Sequence, residues 1–309
     1  MSDALKGLYF FTRFAYSFSA LGYRQQRLFW KDRTNDFADQ RWLVTGASGG
    51  IGRAITQGAA THGADVVAAA RSTEKLTQLI DDTGENVTSL QSDLSLTHEI
   101  EGLLDELEKS GNAKIDVLVN NVGVLLNRHQ LSNEGLELSF ATNLLNHYRL
   151  TKGLIERGLL ADNAVVINMS SGGMYNVPLT IDKLNTLDPE HYDGVLAYAY
   201  QKRAQVVLNS WWREHYAARD WQFYVMHPGW VDTEGVKTSL PAFRKLFQHV
   251  LRDADGGADT ALWLAAARPT QEDDGAIWFD RQERSAHLGS STRRDSDTAE
   301  ELVEFLDSL

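Results

Sequence analysis

The stretch "RWLVTGASGGIG" (41–52) constrains this chain most. A β-rich run ends in Gly46, and a helical pattern opens at Gly50. Glycines at 46, 50 and 52 permit a tight turn and let a pyrophosphate approach the helix N-terminus, because no Cβ intervenes. The spacing is G-x3-G-x-G rather than the commoner G-x-G-x2-G. The alternation then continues. Strands are predicted over 41–46, 64–71, 86–93, 114–121, 163–171, 221–229 and 275–280. Helices are predicted from 50 and over 73–84, 97–111, 132–158 and 195–218. Such alternation implies an α/β fold: a Rossmann-type doubly wound parallel sheet of about seven strands with helices on both faces, a three-layer αβα sandwich.

In that setting the glycine turn reads as a dinucleotide site, and the end of the second strand decides which dinucleotide. An acid there would grip the adenosine ribose hydroxyls and favour NAD. Here the strand ends in Ala70 and Arg71. A guanidinium suits a 2′-phosphate, so NADP(H) is expected over NAD(H). The turn adds no second cation, since Gly49 stands there. Further on, "AYAYQKRAQ" (197–205) sets two tyrosines beside a lysine. On a helix Tyr198 and Lys202 share a face, whereas Tyr200 turns about 200° away from Tyr198. Reducing a carbonyl needs a proton for its oxygen as hydride reaches its carbon. A phenol of pKa about 10 serves near neutrality if a neighbouring ammonium favours phenolate. Tyr198 is therefore the candidate general acid/base, and Lys202 is expected to lower its pKa.

"TGASGGIG" (45–52), "SDL" (92–94), "NNVG" (120–123), "FATN" (140–143), "SSGG" (170–173), "YAYQK" (198–202) and "HPGWVDT" (227–233) follow in this order. In that series the chain resembles the short-chain dehydrogenase/reductase (SDR) family over residues 41–280. "DKLNTLD", "YAYQKRAQVVL", "MHPGWVDTEGV", "GADTALWLA" and "DRQERSAHL" are similar to one branch of it, that of vertebrate SDR family member twelve and its bacterial relatives. The resemblance implies a catalytic set of Tyr198, Lys202, Ser171 and Asn143. Ser171 would donate to the substrate oxygen, with Ser170 as its rival. Asn143 would hold a water relaying protons to Lys202, with Asn146 as the weaker alternative. Lys202 would also hold the nicotinamide ribose. Cofactor contacts are implied for Gly46, Ser48, Gly49, Gly50, Ile51 and Gly52 in the turn, for Arg71, and for Asp93 and Leu94. Others are implied for Asn120, Val122 and Gly123, for Tyr198 and Lys202, and for Pro228, Gly229, Val231 and Thr233. The backbone around Val231 and the Thr233 hydroxyl would orient the nicotinamide carboxamide. Val122 departs from the family's usual alanine, adding bulk without removing a polar group.

The activity implied is hydride transfer between NADP(H) and an alcohol/carbonyl substrate. The alternatives are a silent NADP(H)-binding regulator, or an epimerase or dehydratase on the same fold. Trp230, Leu240, Phe243, Leu246 and Phe247 resemble a substrate flap and suggest an apolar substrate, although a helix packed on the core would look the same. "TIDKLNTLDPEHYDG" (180–194) reads either as a loop at the substrate mouth or as a solvated excursion. "DADGGAD" (253–259) lacks the ligand spacing of a calcium loop and reads as a helix cap, and no metal is expected. A formal charge of −12 argues against nucleic-acid binding. The absence of cysteine removes thiol chemistry and suits a reducing cytoplasm.

Both ends depart from the central pattern, so the chain divides into an aromatic, basic extension (1–40), a catalytic domain (41–280) and a tail (281–309). Residues 1–33 hold six basic residues against two acidic ones. They form either an arm packed on the protein or a second subunit, or an interfacial helix in peripheral contact with an anionic membrane. No secretory signal or membrane-spanning helix is expected. In the tail, residues 284–297 are expected to be mobile and "TAEELVEFLDSL" (298–309) to form a docked helix. Trp211 and Trp212 offer a contact for a homo-oligomer, or belong to the core.

Overall fold

The computed structural model describes residues 12–31, 35–111, 114–273, 275–289 and 292–309. Its eight strands are β1 (Arg41–Thr45), β2 (Asp65–Ala70), β3 (Val87–Gln91), β4 (Ile115–Asn120), β5 (Leu160–Met169), β6 (Gln222–Met226), β7 (Ala276–Phe279) and β8 (Gln282–Ser285). They form one sheet in the order β3-β2-β1-β4-β5-β6-β7-β8. All neighbours pair in parallel except β7 and β8. The chain reverses direction across the sheet between β1 and β4, and the crevice beyond the carboxyl ends of those strands is where ligands of such sheets bind.

The main helices are α1 (Ala20–Arg27), α2 (Gly50–Thr61), α3 (Thr73–Thr83), α4 (Thr97–Lys109), α5 (Asn146–Glu156), α6 (Gly194–His215), α7 (Glu234–Ser239), α8 (Pro241–Phe247), α9 (Ala254–Ala267) and α10 (Ala299–Asp307). The two-residue period of a strand divides the apolar residues between the faces. Trp42, Val44, Val117 and Val119 pack with Ile55, Leu76 and Leu264 on one side. Leu43 and Leu118 pack with Leu104, Leu154, Leu208 and Trp212 on the other. Trp212 is stacked against Tyr148 and Phe223, so it belongs to the core rather than to a subunit contact.

Three elements differ from their sequence expectations. The helix predicted from 132 begins instead at Leu138. Residues 131–137 reverse direction, with Gly135 at φ +79° and Leu131 bridged to Glu137. A π-helical segment, Ala141–Leu145, then leads into α5. The eighth strand lies beyond residue 280, inside the supposed tail. Its hairpin turn is Asp280–Arg281, both at positive φ (49° and 59°). That geometry normally selects Asn-Gly, so Asp-Arg hides the turn. Lastly, the described residues of 284–297 are tied down rather than free. Asp295 accepts from Leu179 N (2.6 Å) and Asp297 from Ile181 N (2.8 Å). The terminal helix α10 docks as expected. Leu302 and Leu306 are buried, and Asp307 accepts from Tyr148 Oη (2.6 Å) and Lys152 Nζ (2.6 Å).

The described part of the amino-terminal extension packs on the protein itself. Residues 12–18 are helical. Phe18 is buried against Tyr175, His227, Trp230 and Phe279. Arg252 pins the arm, donating Nε to Phe18 O (3.0 Å) and Nη2 to Ser17 O (2.7 Å). The same guanidinium clasps Asp280 at 2.6 and 2.9 Å, both side chains buried. Removing one partner strands the other charge in a dry interior. Arg252→Ala should therefore destabilise the fold by about 3–5 kcal/mol, measured by denaturant unfolding; a change within about 0.5 kcal/mol would contradict this account of the arm. Residues 1–11 and 32–34 of the extension lie outside the described residues.

Candidate active site

At the end of β1, Thr45 Oγ1 accepts from the backbone N–H groups of Asn121 (2.9 Å) and Val122 (3.1 Å). Asn121 Nδ2 donates to Thr45 O (2.8 Å), so the ends of β1 and β4 are locked together. The glycine turn springs from this joint with Gly46 at φ +65° and Gly50 at φ +51°. A Cβ on Gly52 would sit 2.3 Å from Gly46 O, and one on Gly46 would sit 3.0 Å from Val122 Cα. A Cβ on Gly49 would meet nothing within 4 Å. The turn is thus closed behind and open in front, as close approach of a pyrophosphate requires.

A cavity beside the turn is lined by Gly46, Ser48, Arg71, Asp93, Leu94, Val122 and Gly123, all expected from the sequence. It is also lined by Ser72, Lys75, Ser95 and Thr142, which were not. Ser72 caps α3 by accepting from Lys75 N (3.3 Å). Arg71, Lys75 and the α3 N-terminus therefore border one cavity, so Lys75 is a second cation beside Arg71. The legible signal was "RSTEK", a cap and a lysine four residues after the arginine. Asp93 Oδ1 accepts from Ser95 N (3.0 Å) and Ser95 Oγ (2.8 Å), which shapes its turn. Asn120 enters differently from expectation. It lies on the Leu118 face of β4, and its side chain is buried, donating to Thr151 Oγ1 and Asn168 Oδ1 at 3.0 Å each. The cleft wall there is left to Val122 and Gly123.

The loop after β6 closes the other side. Ile51 and Val231 both bear on Gly257, where a Cβ would lie 3.1 Å from the first and 2.7 Å from the second. Gly229, at φ +81°, lets the chain after Pro228 pass over Arg252, whose Nε is 2.4 Å from a Cβ built there. Thr233 caps α7 by accepting from Val236 N (3.2 Å), and its methyl abuts Gly50. Its O–H proton stays available to donate.

At the end of β5 the two serines take separate tasks. Ser170 is buried and donates to Lys202 O (2.9 Å), which fastens α6 to the sheet. Ser171 opens the next turn, accepts from Gly173 N (3.4 Å) and lies close enough to the Tyr198 phenol to lower its pKa. Asp193 caps α6 through the N–H groups of Val195 and Leu196, which starts the helix one turn before Tyr198. Lys202 Nζ lies 5.5 Å from the Tyr198 ring centroid and donates to Met169 O (2.8 Å). Tyr200 turns toward the core on the other side.

The electrostatics here differ from the expectation that Lys202 lowers the phenol's pKa. Burial pushes the Tyr198 phenol above its usual value, partly offset by the neighbouring Ser171 hydroxyl. Burial also pushes Lys202 down to about 7. The reason is that Lys202 is buried and Tyr198 partly so, and the lysine donates to a single carbonyl rather than to an anion. The phenol is therefore held protonated, the form a proton donor needs.

Asn143, on the π-helical segment, is fully engaged. Its Oδ1 accepts from Val124 N (2.8 Å), and its Nδ2 donates to Val124 O and Gln201 Oε1 (2.8 Å each). Its carbonyl accepts from Gln205 Nε2 (2.6 Å). A Cβ on Gly123 would lie 3.4 Å from Asn143 Oδ1 and 3.6 Å from Lys202 Nζ, so this glycine keeps the space between them open. Gln201 donates to the buried Glu137 (3.1 Å), which also accepts from Ser139 N, Phe140 N and Tyr192 Oη. Gln201 and Gln205 were missed as site residues, although both fall beside Lys202 on α6. Asn146 instead holds Leu94 O (3.0 Å). His147 meets Gln205 (3.0 Å), and burial holds it down to about 3, hence neutral.

The inserted stretch 180–194 is anchored rather than a solvated excursion. Leu184 is buried, Asn185 Oδ1 accepts from Glu137 N (2.9 Å), and Tyr192 reaches Glu137 (3.2 Å). The loop after β6 carries an apolar knot of Trp230, Phe243 and Phe247, with ring centroids about 5 Å apart. Ser239 ties α7 across the cleft to Leu125 O (2.6 Å). "DADGGAD" is the cap of α9, with Asp253 Oδ1 accepting from Gly256 N (2.8 Å).

The family model for short chain dehydrogenase matches residues 40–181. Dehydrogenase/reductase SDR family member 12 of Bos taurus is 37% identical over 280 residues, covering 87% of this chain and 85% of the relative. An uncharacterized protein of Mycobacterium paratuberculosis shares the fold with a TM-score of 0.69 at 23% identity, over 88% of this chain and 92% of that one. The angucycline C-6 ketoreductase LanV with bound NADP gives a TM-score of 0.59 at 21% identity, over 77% and 92%.

Proposed function

This chain belongs to the short-chain dehydrogenase/reductase family, oxidoreductases of CH–OH and C=O groups, and on that premise we propose that it moves hydride between NADP(H) and an apolar alcohol/carbonyl substrate, with Tyr198 as general acid/base. The observation that carries this is the placing of Tyr198 next to Ser171 with Lys202 Nζ 5.5 Å from the phenol ring, beside a glycine turn open to a dinucleotide.

NADPH, when bound, supplies the hydride. The residues do the rest. Ser171 donates to the carbonyl oxygen and polarises it. Tyr198 passes its proton to that oxygen, and Lys202 stabilises the phenolate left behind. Asn143 holds the water through which the proton is replaced. The substrate's apolar character rests on Leu187, Val195 and Leu196, exposed around the start of α6, and on the aromatic knot opposite.

Preference for NADP(H) rests on Arg71 and Lys75 at the α3 N-terminus, and the ketoreductase neighbour carries the same cofactor. Two charge-assisted contacts to a 2′-phosphate should make NADPH bind about 100-fold tighter than NADH. The double variant Arg71→Ala/Lys75→Ala should lose that margin and leave NADH binding unchanged, measured by fluorescence titration. Equal affinity of the parent protein for both dinucleotides would refute the preference.

A further inference from the structure

Residues 12–31 contain Arg13, Arg24, Arg27 and Lys31 and no acidic residue, in a chain of formal charge −12. Among the described residues, Arg24, Arg27 and Lys31 make no ion pair. Helix α1 turns Gly22 and Tyr23 inward, where Tyr23 meets Trp30 (5.5 Å) and Arg252 (5.0 Å). Its outer stripe is Leu21, Arg24, Gln25 and Leu28, spaced i, i+3, i+4, i+7. Leu28 is 81% exposed and Phe29 77%, the highest values for large hydrophobic side chains among the described residues. The next, Leu246 at 74%, is on α8. That helix adjoins the arm: Ala20 N donates to Val250 O (2.8 Å), and Phe247 packs on Trp230, which packs on Phe18.

We propose that this face, α1 with the exposed edge of α8, docks on an anionic lipid bilayer. Large apolar tips interleaved with unpaired cations match an interfacial helix lying in the plane of a charged membrane. The contact is peripheral, since no helix among the described residues is long and apolar enough to cross a membrane. The arm's inner side, Phe14 and Phe18, stacks on Tyr175, and Phe18 packs on Trp230. These two belong to the turns that follow Ser171 and Gly229, so the docked face lies one aromatic layer from the cleft. A carbonyl compound dissolved in the bilayer therefore has a short route to Tyr198. The docking itself stands without the assigned reaction.

The test is co-sedimentation of the full chain with phosphatidylcholine vesicles, with and without phosphatidylglycerol, at low and raised salt. Binding is expected only to the anionic vesicles and should weaken with salt. Arg24→Gln/Arg27→Gln should lower the partition coefficient about 25-fold, at about five-fold per cation. Leu28→Ser/Phe29→Ser should lower it at unchanged charge. NADPH binding, which these residues do not touch, reports that the variants are folded and keeps this test separate from that of the oxidoreductase assignment. Equal sedimentation with neutral and anionic vesicles, or variants that partition like the parent, would overturn the proposal. So would variants that alter only the sedimentation coefficient of the free protein, because the face would then join copies of the chain.

Discussion

Tyr198→Phe is expected to lower kcat/KM for carbonyl reduction by about 10³- to 10⁴-fold, near the upper end of what a positioned acid contributes. NADPH affinity should hardly change, because the phenyl ring keeps the packing and Lys202 remains in place. The loss should fall on kcat, since the missing interaction forms only as the proton moves. The pH profile of the parent checks the same point. Burial raises the phenol's pKa. The acid is active while protonated, so its own titration should cost activity only as pH rises through that raised value, whereas loss of the Lys202 charge above about 7 should lower the rate earlier and less steeply. A profile that falls on the acid side of pH 7 would contradict the role.

Lys202→Met should separate function from stability. Activity should drop by about 10²-fold or more, and NADPH should bind less tightly. Yet the cofactor-free variant should melt a few degrees higher near pH 7. In the folded chain Lys202 is pushed down to about 7, whereas its ordinary value is 10.5. Between those values the unfolded chain binds a proton that the folded chain has released, so stability falls as pH falls toward 7. Below 7 the burial penalty is complete and constant. Methionine removes it and leaves one carbonyl, Met169 O, without its donor, a loss of about 1–3 kcal/mol that offsets part of the gain. The net gain should be largest at and below pH 7, shrink as pH rises and turn into a small loss near about pH 10, as followed by calorimetry. A lower melting temperature at pH 7 would show that Lys202 is stabilised by its surroundings rather than strained by them.

Much of the fold was legible because both faces of the sheet are covered. Runs such as "WLVT" and "VVAAA" can be little else than buried strands between helices. The glycine turn, Arg71, Tyr198 and Lys202 could be singled out because each proposed chemistry restricts the residue type, and Ser171 because the family resemblance marks it. What escaped was set by distant partners. Asp280–Arg281 forms a hairpin turn because Arg252 and Asp259 hold its side chains, a tertiary fact that local turn preference cannot carry. Glu137 gave no sign that it caps the segment bearing Asn143 while gripping the insertion and Gln201. The raised phenol and depressed lysine were missed because spacing reports proximity but not burial. Lys75 was within reach, since a cation one turn into the helix after Arg71 follows from the sequence alone.

The most direct test of the account uses NADPH carrying deuterium at the transferable C4 position, a panel of apolar aldehydes and ketones, and mass analysis of the alcohols formed. The parent protein should place deuterium on the carbinol carbon, and Tyr198→Phe should do so at least a thousand-fold more slowly, on the order expected for a lost general acid. Transfer at the parent's rate in that variant would show that the proton comes from elsewhere.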